Sequence, residues 1–335
     1  MLFSVIIPAY NASSTILRCL DSVYALPINE AEFEIILVDD CSKDDTVVLA
    51  RQYAANHSNL MVLTQMENHR QGAARNKGLS IAQGNYIVFL DSDDELEAGI
   101  VSALSLAVEK NLEMTAIRGE RVDLEGKIIN EYSLPYSRDY VFSGVDLQTS
   151  YPFWCSGPVL YIYLRVFLSA VNYSFAEDVL YEDSDFVNIH LYRAKRMGYC
   201  DDCGYRIFMN PSSTTHVVSY KHVSDYALLG TRMLQFYQSI GEKDSQYAKS
   251  ILEGGSYNIM RSCRNLLKLK SGQEVRSFYE RFDESADRPS LLHYHEPAYC
   301  WNRWTRFCLK DKWSTIVLLS IILFVKHLLS FKSHI

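Results

Sequence analysis

Four short apolar runs, each four or five residues long, punctuate the first 115 residues: Ser4–Ile7, Glu34–Val38, Leu60–Leu63 and Tyr86–Leu90. Runs this short, dominated by β-branched and aliphatic residues, suit strands buried on both faces of a parallel sheet. Helical patterns fill the gaps between them. Ser13 or Ser14 is placed to cap a helix with Ile16, Leu17, Leu20 and Val23 facing inward. Asp44 or Asp45 is placed to cap a second, with Val47, Val48, Ala50 and Ala54 inward. A third helix is expected from about Gly72 to Ala82, with Gly84 placed to end it. Strand–helix alternation at this spacing predicts βαβ units, hence an α/β fold with a doubly wound, mostly parallel, Rossmann-like sheet.

In such a sheet ligands bind at the carboxyl ends of the strands. Polar clusters stand at three of those ends: Pro8-Ala9-Tyr10-Asn11, Asp39-Asp40-Cys41-Ser42 and Asp91-Ser92-Asp93-Asp94. In a poorly solvated cleft the three carboxylates of the last cluster repel one another unless something positive offsets them. All-oxygen donors suit Mg²⁺ or Mn²⁺, which takes one or two carboxylates and completes its shell with phosphate oxygens and water. The expected metal ligands are therefore Asp91, Asp93 and Asp94. The plain alternative is a solvated acidic turn that caps a helix starting near Leu96.

Neither GxGxxG nor GxxxxGK[ST] occurs, so a nucleotide must be held without either glycine cradle. Asp39 or Asp40 can accept hydrogen bonds from a base or ribose, and Tyr10 offers a stacking face. His69-Arg70-Gln71-Gly72, followed by Arg75, Asn76 and Lys77, sets cations at a helix start, where a diphosphate is favoured. Arg75 and Lys77 read equally well as solvent-facing helix charges.

The rest of the chain is less regular. Residues 116–220 hold short strand patterns, the aromatic cluster Tyr151-Pro-Phe-Trp154 and a helix pattern at Ser184–Arg196. Residues 222–290 read as helices, including Tyr226–Ile240 and Gln246–Lys270. Beyond them Trp301, Arg303, Trp304, Arg306, Lys310, Lys312 and Trp313 precede a mostly apolar run to Val325 and on to Phe331. That run is too short for a secure span, while the basic and aromatic stretch before it suits an anionic lipid interface; a C-terminal helix packed on the domain is the plain alternative. The expected division is 1–220 as a donor-binding (1–115) and acceptor-binding (116–220) domain, 221–300 as a helical extension, and 301–335 as a membrane-associating segment. A net charge of −7 argues against a nucleic-acid-coating protein. Eight scattered cysteines, with Cys200 and Cys203 as the one CxxC pair, do not form a disulfide framework or a zinc-ribbon pattern. Residues 1–10 lack a secretory leader's basic region, so a cytoplasmic location at the inner membrane face is expected.

Taken together, Ser4-Val-Ile-Ile-Pro-Ala-Tyr-Asn11, Ile36-Leu-Val-Asp-Asp-Cys-Ser42, Gly72-Ala-Ala-Arg-Asn-Lys-Gly78 and Phe89-Leu-Asp-Ser-Asp-Asp94 resemble the family 2 glycosyltransferases of GT-A fold. The resemblance is close over residues 1–115 and looser to about 220. It implies a uracil contact from Asp40, with Asp91 and Asp93 as the DxD motif that binds ribose and the metal–diphosphate. It also implies inverting transfer of a hexosyl or N-acetylhexosaminyl group, with a carboxylate base in a Glu-Asp pair ahead of a helix. Tyr181-Glu-Asp-Ser-Asp-Phe186 matches that pattern, giving Asp183 as the base and Glu182 as second choice. A carboxylate pair at a helix N-terminus is also oriented and kept ionised by the helix dipole. Trp154 and Cys155-Ser-Gly157 fall where the family's acceptor loop lies, and His216 is a candidate neighbour of the diphosphate. The QxxRW motif of the processive members is absent. The implied donor is a UDP-sugar, with a dTDP-sugar second; the implied acceptor is a glycan or lipid-linked glycan in surface polysaccharide synthesis. A nucleotidyltransferase or an inactive nucleotide-sugar-binding scaffold stays open as an alternative.

Overall fold

The computed structural model describes residues 1–285 apart from 124, 152–156, 210–218, 242–245, 267–268 and 270–271. The four apolar runs become β1 (Phe3–Ala9), β2 (Phe33–Asp39), β3 (Leu60–Thr64) and β4 (Tyr86–Phe89). They pair in parallel in the order β3-β2-β1-β4, with Ile6 opposite both Ile36 and Phe89. Every residue of β1 and β2 is buried, which is why these strands read as unbroken apolar runs rather than as an alternation.

The helices that return between them are α1 (Ile16–Tyr24), α2 (Thr46–Ala54) and α3 (Arg70–Ile81). Two inward assignments shift. Leu17 is 39% exposed while Cys19 is fully buried, and Val48 is 53% exposed while Thr46 is buried instead. In both cases the apolar stripe turns by one or two residues, because a nine-residue helix needs only one narrow buried face. Asp44 accepts from Thr46 N at 3.1 Å just ahead of α2, but the N-cap residue there is Asp45, and neither it nor Thr15 at the start of α1 makes a side-chain capping bond.

The chain then adds β5 (Glu95–Leu96), α4 (Gly99–Lys110), β6 (Met114–Val122), β7 (Ile128–Tyr132), α5 (Gly144–Ser150), β8 (Tyr161–Leu164), α6 (Arg165–Val171), α7 (Asp183–Arg193) and β9 (Met197–Phe208). Among the described residues nine strands form one sheet, extended past β4 as β4-β8-β6-β9-β5, with β7 on β6. β8 runs antiparallel to both β4 and β6, and β9 runs parallel to β6. Cys200 and Cys203 lie in β9 where its register against β6 slips, between the partners of Ile117 and Arg118. The described cysteines are free thiols.

The chain divides into two compact units. One is Met1–Asp178 with Glu182–Ser212, which contains the sheet. The other joins Val179–Tyr181 to the helices α8 (Tyr220–Ser239), α9 (Gln246–Asn265) and α10 (Gly272–Ser285). Within this second unit Tyr181 stacks on Tyr226, with ring centroids 4.4 Å apart, and Leu180 N donates to Asp225 at 2.9 Å. Among the described residues no helix is long and apolar enough to cross a membrane. The segment 301–331 lies outside the described residues.

One close approach locks the amino ends of the strands. Glu34 accepts from Ser4 Oγ at 2.6 Å and from Gln83 N at 2.6 Å, and Gly84 N donates to Ser4 Oγ at 2.9 Å. A Cβ on Gly84 would press into the backbone of Phe3 and Ser4. The variant Gly84→Ala should therefore lose about 1–3 kcal/mol, the usual cost of overpacking. The check is a urea midpoint that falls with an unchanged slope; an unshifted midpoint would mean β1 yields freely.

Candidate active site

The turns after β1 and β2 are stitched together. Asn11 N donates to Ser42 Oγ at 2.8 Å, Lys43 N donates to Asn11 Oδ1 at 2.8 Å, and Asp40 N donates to Ala9 O at 2.8 Å. Asn11 and Cys41 both adopt positive φ, 49° and 64°, which folds each turn back sharply on its strand. Pro8, Asp39 and Asp40 are buried in this corner and Tyr10 stands exposed at its rim, the placement a stacking platform needs. Asp39 Oδ2 accepts from Ser42 N at 3.0 Å; its Oδ1 is buried with no hydrogen-bond partner among the described residues. An orphaned buried acceptor carries a desolvation cost that a donor from a ligand would remove. Asp40 Oδ1 accepts from Gln65 Nε2 at 3.1 Å and from His69 N at 2.8 Å, so a carboxylate already sits against the start of α3. Burial raises the Asp40 pKa, and the amides of His69 and Arg70 pull it back down. A cavity of about 440 Å³ adjoins this point, lined by Val38, Leu63, Met66 and Lys77 as well as Gln65 and His69.

The Asp91 cluster does not cap a helix: α4 starts at Gly99, with Ala98 as its N-cap and no side-chain cap. The cluster is a turn clamped from two sides. From α1, Arg18 donates to Asp93 O at 2.5 Å, Cys19 Sγ lies 3.6 Å from Asp91 O, and Ser22 Oγ accepts from Leu96 N at 3.1 Å. From β9, the Tyr205 hydroxyl accepts from Asp91 N at 3.1 Å and bonds Asp94 Oδ2 at 2.9 Å, while Phe208 N donates to Asp94 Oδ1 at 2.8 Å. Asp94 is 5% exposed with both oxygens engaged, a position that anchors the turn instead of presenting a ligand to a metal. Asp91, Ser92 and Asp93 remain partly exposed.

Arg75 holds the site together. It lies on the buried side of α3, 2% exposed, and does not face solvent. Its Nη2 meets Asp91 Oδ1 at 2.7 Å and its Nη1 pairs with Glu182 Oε1. Burial works against its charge, but these two carboxylates outweigh that and raise its pKa above the ordinary arginine value. The ion-pair chain thereby joins the strand-end acidic turn to the Glu182-Asp183 pair, about ninety residues further along the sequence. Lys77, one residue along from Asn76, is exposed.

Asp183 opens α7, which is fixed in the core one turn on, at Phe186. Phe186 stacks on Phe175 with centroids 3.7 Å apart, and Phe175 meets Phe89 of β4 edge-to-face at 5.3 Å. Desolvation and the neighbouring Glu182 raise the Asp183 pKa to about 7, while Arg75 and the Asp183 amide act the other way. A carboxylate with a pKa near neutrality is matched to accepting a proton from a hydroxyl.

The fit of a divalent cation follows from the donor set. Among the described residues no three His, Cys, Asp or Glu side chains converge as a ready-made metal cage. The available donors are the carboxylate oxygens of the Asp91–Asp93 turn, a hard, two-residue set that fits Mg²⁺ or Mn²⁺ sharing its shell with a diphosphate. Trp154, Cys155 and His216 fall outside the described residues. Sequence reasoning missed Arg18, Tyr205 and Phe208 as supports of the acidic turn, since α1 and β9 reach it only through the fold, β9 from more than a hundred residues away.

Comparison with known proteins bears on the fold that carries this arrangement. The family model described as glycosyl transferase family 2 matches residues 4–140. Chondroitin synthase of Escherichia coli is 36% identical over 148 residues, which is 43% of this chain and 21% of that one. The poly(ribitol-phosphate) beta-N-acetylglucosaminyltransferase TarS of Staphylococcus aureus is 41% identical over 96 residues, 28% of this chain and 16% of TarS. The crystal structure of TarS 1-349 in complex with UDP-GlcNAc superposes with a TM-score of 0.63 at 22% identity, covering 94% of this chain and 92% of that one. A mannosyltransferase from Pyrobaculum calidifontis, in complex with GDP-Man and Mn²⁺, superposes with a TM-score of 0.51 at 18% identity, covering 97% and 86%. The matched stretches span between 11% and 65% of the curated relatives' own lengths. The strand-end motifs, the sheet that carries them and these likenesses converge: residues 4–140 match a glycosyl transferase family 2 domain, and the chain has the GT-A fold.

Proposed function

We propose that the chain is an inverting, metal-dependent glycosyltransferase that moves a hexosyl or N-acetylhexosaminyl group from a UDP-sugar to a hydroxyl of a glycan or lipid-linked glycan, in surface polysaccharide synthesis. The single observation that carries this reading is the Asp91–Arg75–Glu182 chain, which sets a phosphate-side acidic turn and a general-base candidate around one guanidinium. TarS, with UDP-GlcNAc bound in its crystal structure, supports the choice of UDP.

In this reading Tyr10 stacks on the base, and Asp39 and Asp40 accept from base and ribose, with Pro8 shaping the corner. Asp93 and Asp91 would hold Mn²⁺ or Mg²⁺, with Ser92 beside them. When bound, the ion supplies positive charge that stabilises the diphosphate as a leaving group. Asp94 supports the turn from behind, since both its oxygens are taken. Asp183 accepts the acceptor's hydroxyl proton as that oxygen forms a bond to the anomeric carbon, and the bond from that carbon to the β-phosphate oxygen breaks, releasing UDP. Glu182 is bound to Arg75 and holds the pair in place. Attack from the face opposite the leaving group inverts the anomeric centre. The membrane contact through 301–331 and the inner-face location stay part of the proposal, resting on the basic and aromatic composition of that segment.

A thermal-shift screen of nucleotide sugars with Mn²⁺ tests the donor class, because only a ligand that prefers the folded state raises stability. UDP-sugars should raise the melting temperature and GDP-sugars should not. Asp93→Asn should lower transfer by about 10²–10³-fold and remove the metal-dependent part of UDP binding. Unchanged turnover of that variant would overturn the metal assignment, and release of pyrophosphate from a nucleoside triphosphate would favour a nucleotidyltransferase.

A further inference from the structure

The mechanism above leaves part of α3 unexplained. Asn76 spends its side chain on the segment that leads into Glu182 and Asp183. Its Nδ2 donates to Phe175 O at 3.0 Å and to Glu177 Oε1 at 2.9 Å, and its Oδ1 accepts from Phe175 N at 3.0 Å. An amide that bonds both the N–H and the C=O of one residue acts as a short strand partner and fixes that residue's place and twist. One helical turn earlier, Gly72 lies under Ala176: a Cβ there would press into Ala176 O and come within 3.2 Å of Glu182 Cγ. Arg75, between them, pairs with Glu182. Residues 72, 75 and 76 follow the i, i+3, i+4 spacing of a single helix face, and all three grip the same stretch of chain.

That stretch has reason to be held. Asp178 and Tyr181 are non-glycine residues at φ 58° and 63°. Such conformations cost energy and persist only where the surroundings over-determine them. A further tie comes from His69, whose carbonyl accepts from Asp178 N at 3.0 Å.

We infer that Asn76, together with Gly72, is a positioning residue for Asp183: the clasp on Phe175 and Ala176 sets where the Glu182-Asp183 pair stands relative to the donor. The Gly-Ala-Ala-Arg-Asn stretch at 72–76 thus serves the base and not the diphosphate. This rests on the reading of Asp183 as the base, and the experiment separates the two.

The wild type, Asp183→Asn, the isosteric Asn76→Asp and Gly72→Ala are compared for Mn²⁺-supported hydrolysis of UDP-glucose and UDP-N-acetylglucosamine, using whichever the wild type turns over, and for UDP binding by calorimetry. Asn76→Asp keeps the side chain's shape but loses both donated hydrogen bonds. A misplaced base predicts kcat lower by about 10²-fold with donor KM and UDP affinity within about twofold of wild type; a merely loosened fold would move all three. Gly72→Ala shifts the same segment from the other side and should show the same split, and it decides alone by that criterion if Asn76→Asp does not fold. Full activity in Asp183→Asn would remove the base assignment itself. An inactive Asp183→Asn beside an Asn76→Asp that keeps wild-type kcat, or that loses kcat and UDP binding together, would overturn the clasp alone.

Discussion

Asp183→Asn should lower kcat by about 10²–10⁴-fold, the range that a positioned general base contributes, while leaving UDP affinity within about twofold. The amide keeps the shape and the hydrogen bond to its own backbone but cannot take a proton. The wild-type rate should also carry a signature of this group. Burial and the adjacent Glu182 carboxylate raise the Asp183 pKa from its ordinary value to about 7. The base is active when ionised, so kcat/KM should climb as the pH rises through about 7 and level off above it. Stability moves in the opposite sense. The folded state retains on Asp183 a proton that the unfolded chain has already released, so this group's contribution falls as the pH rises from about 4 to about 7 and is flat above. Both pH effects should vanish together in Asp183→Asn. A variant that keeps the acid limb of the rate profile would assign that limb to another group.

Arg75→Met should be the most destabilising substitution in the site. Removing one partner of a buried ion pair typically costs about 3–5 kcal/mol, because the remaining charge is left uncompensated. Asp91 is 27% exposed and Glu182 8% exposed, so one of the two stranded carboxylates is partly solvated and the lower half of that range is expected. Transfer should fall as well, since the acidic turn and the Glu182-Asp183 pair lose their common partner. Adding Glu182→Gln to Arg75→Met should recover part of the lost stability by removing the less solvated charge. Denaturant titration of the three proteins measures this. A loss below about 1 kcal/mol, or no recovery in the double variant, would show that Arg75 is not the link between the two halves of the site.

The parallel half of the sheet was legible because burial on both faces leaves a simple mark: Ile6, Ile36 and Phe89 stand side by side and each lies in an uninterrupted apolar run. The strand-end polar clusters were legible for the same reason, since Asp39 and Asp91 directly follow the apolar stretches Ile35–Val38 and Tyr86–Leu90. The sequence also marked Arg75 as a cation at a helix start, but a helix face is not visible in residue order. Whether it reached a phosphate, solvent or a carboxylate depended on the fold bringing Glu182 beneath it. Asp94 shows the same limit. In sequence it is the third of three equivalent carboxylates, and only the arrival of Tyr205 and Phe208 from β9 distinguishes the anchor from its neighbours. The mixed half of the sheet was the least readable. β8 is four residues long and antiparallel to both neighbours, and β9 carries a register slip at Cys200–Cys203, so neither presents a steady period.

A likeness at 22% identity secures the fold, and the roles at the site rest on geometry: an arginine bridging two acidic elements, and an aspartate at a helix start poised near neutral pH. In the proposed reading these features serve one donor. The most direct test is a crystal structure of the chain with UDP and Mn²⁺. The account predicts the base at the Tyr10–Asp40 corner, the diphosphate on a metal held by Asp93, and the Asp183 carboxylate opening onto the space beyond the β-phosphate. UDP bound elsewhere, or Asp93 and Asp183 facing separate cavities in that complex, would contradict it.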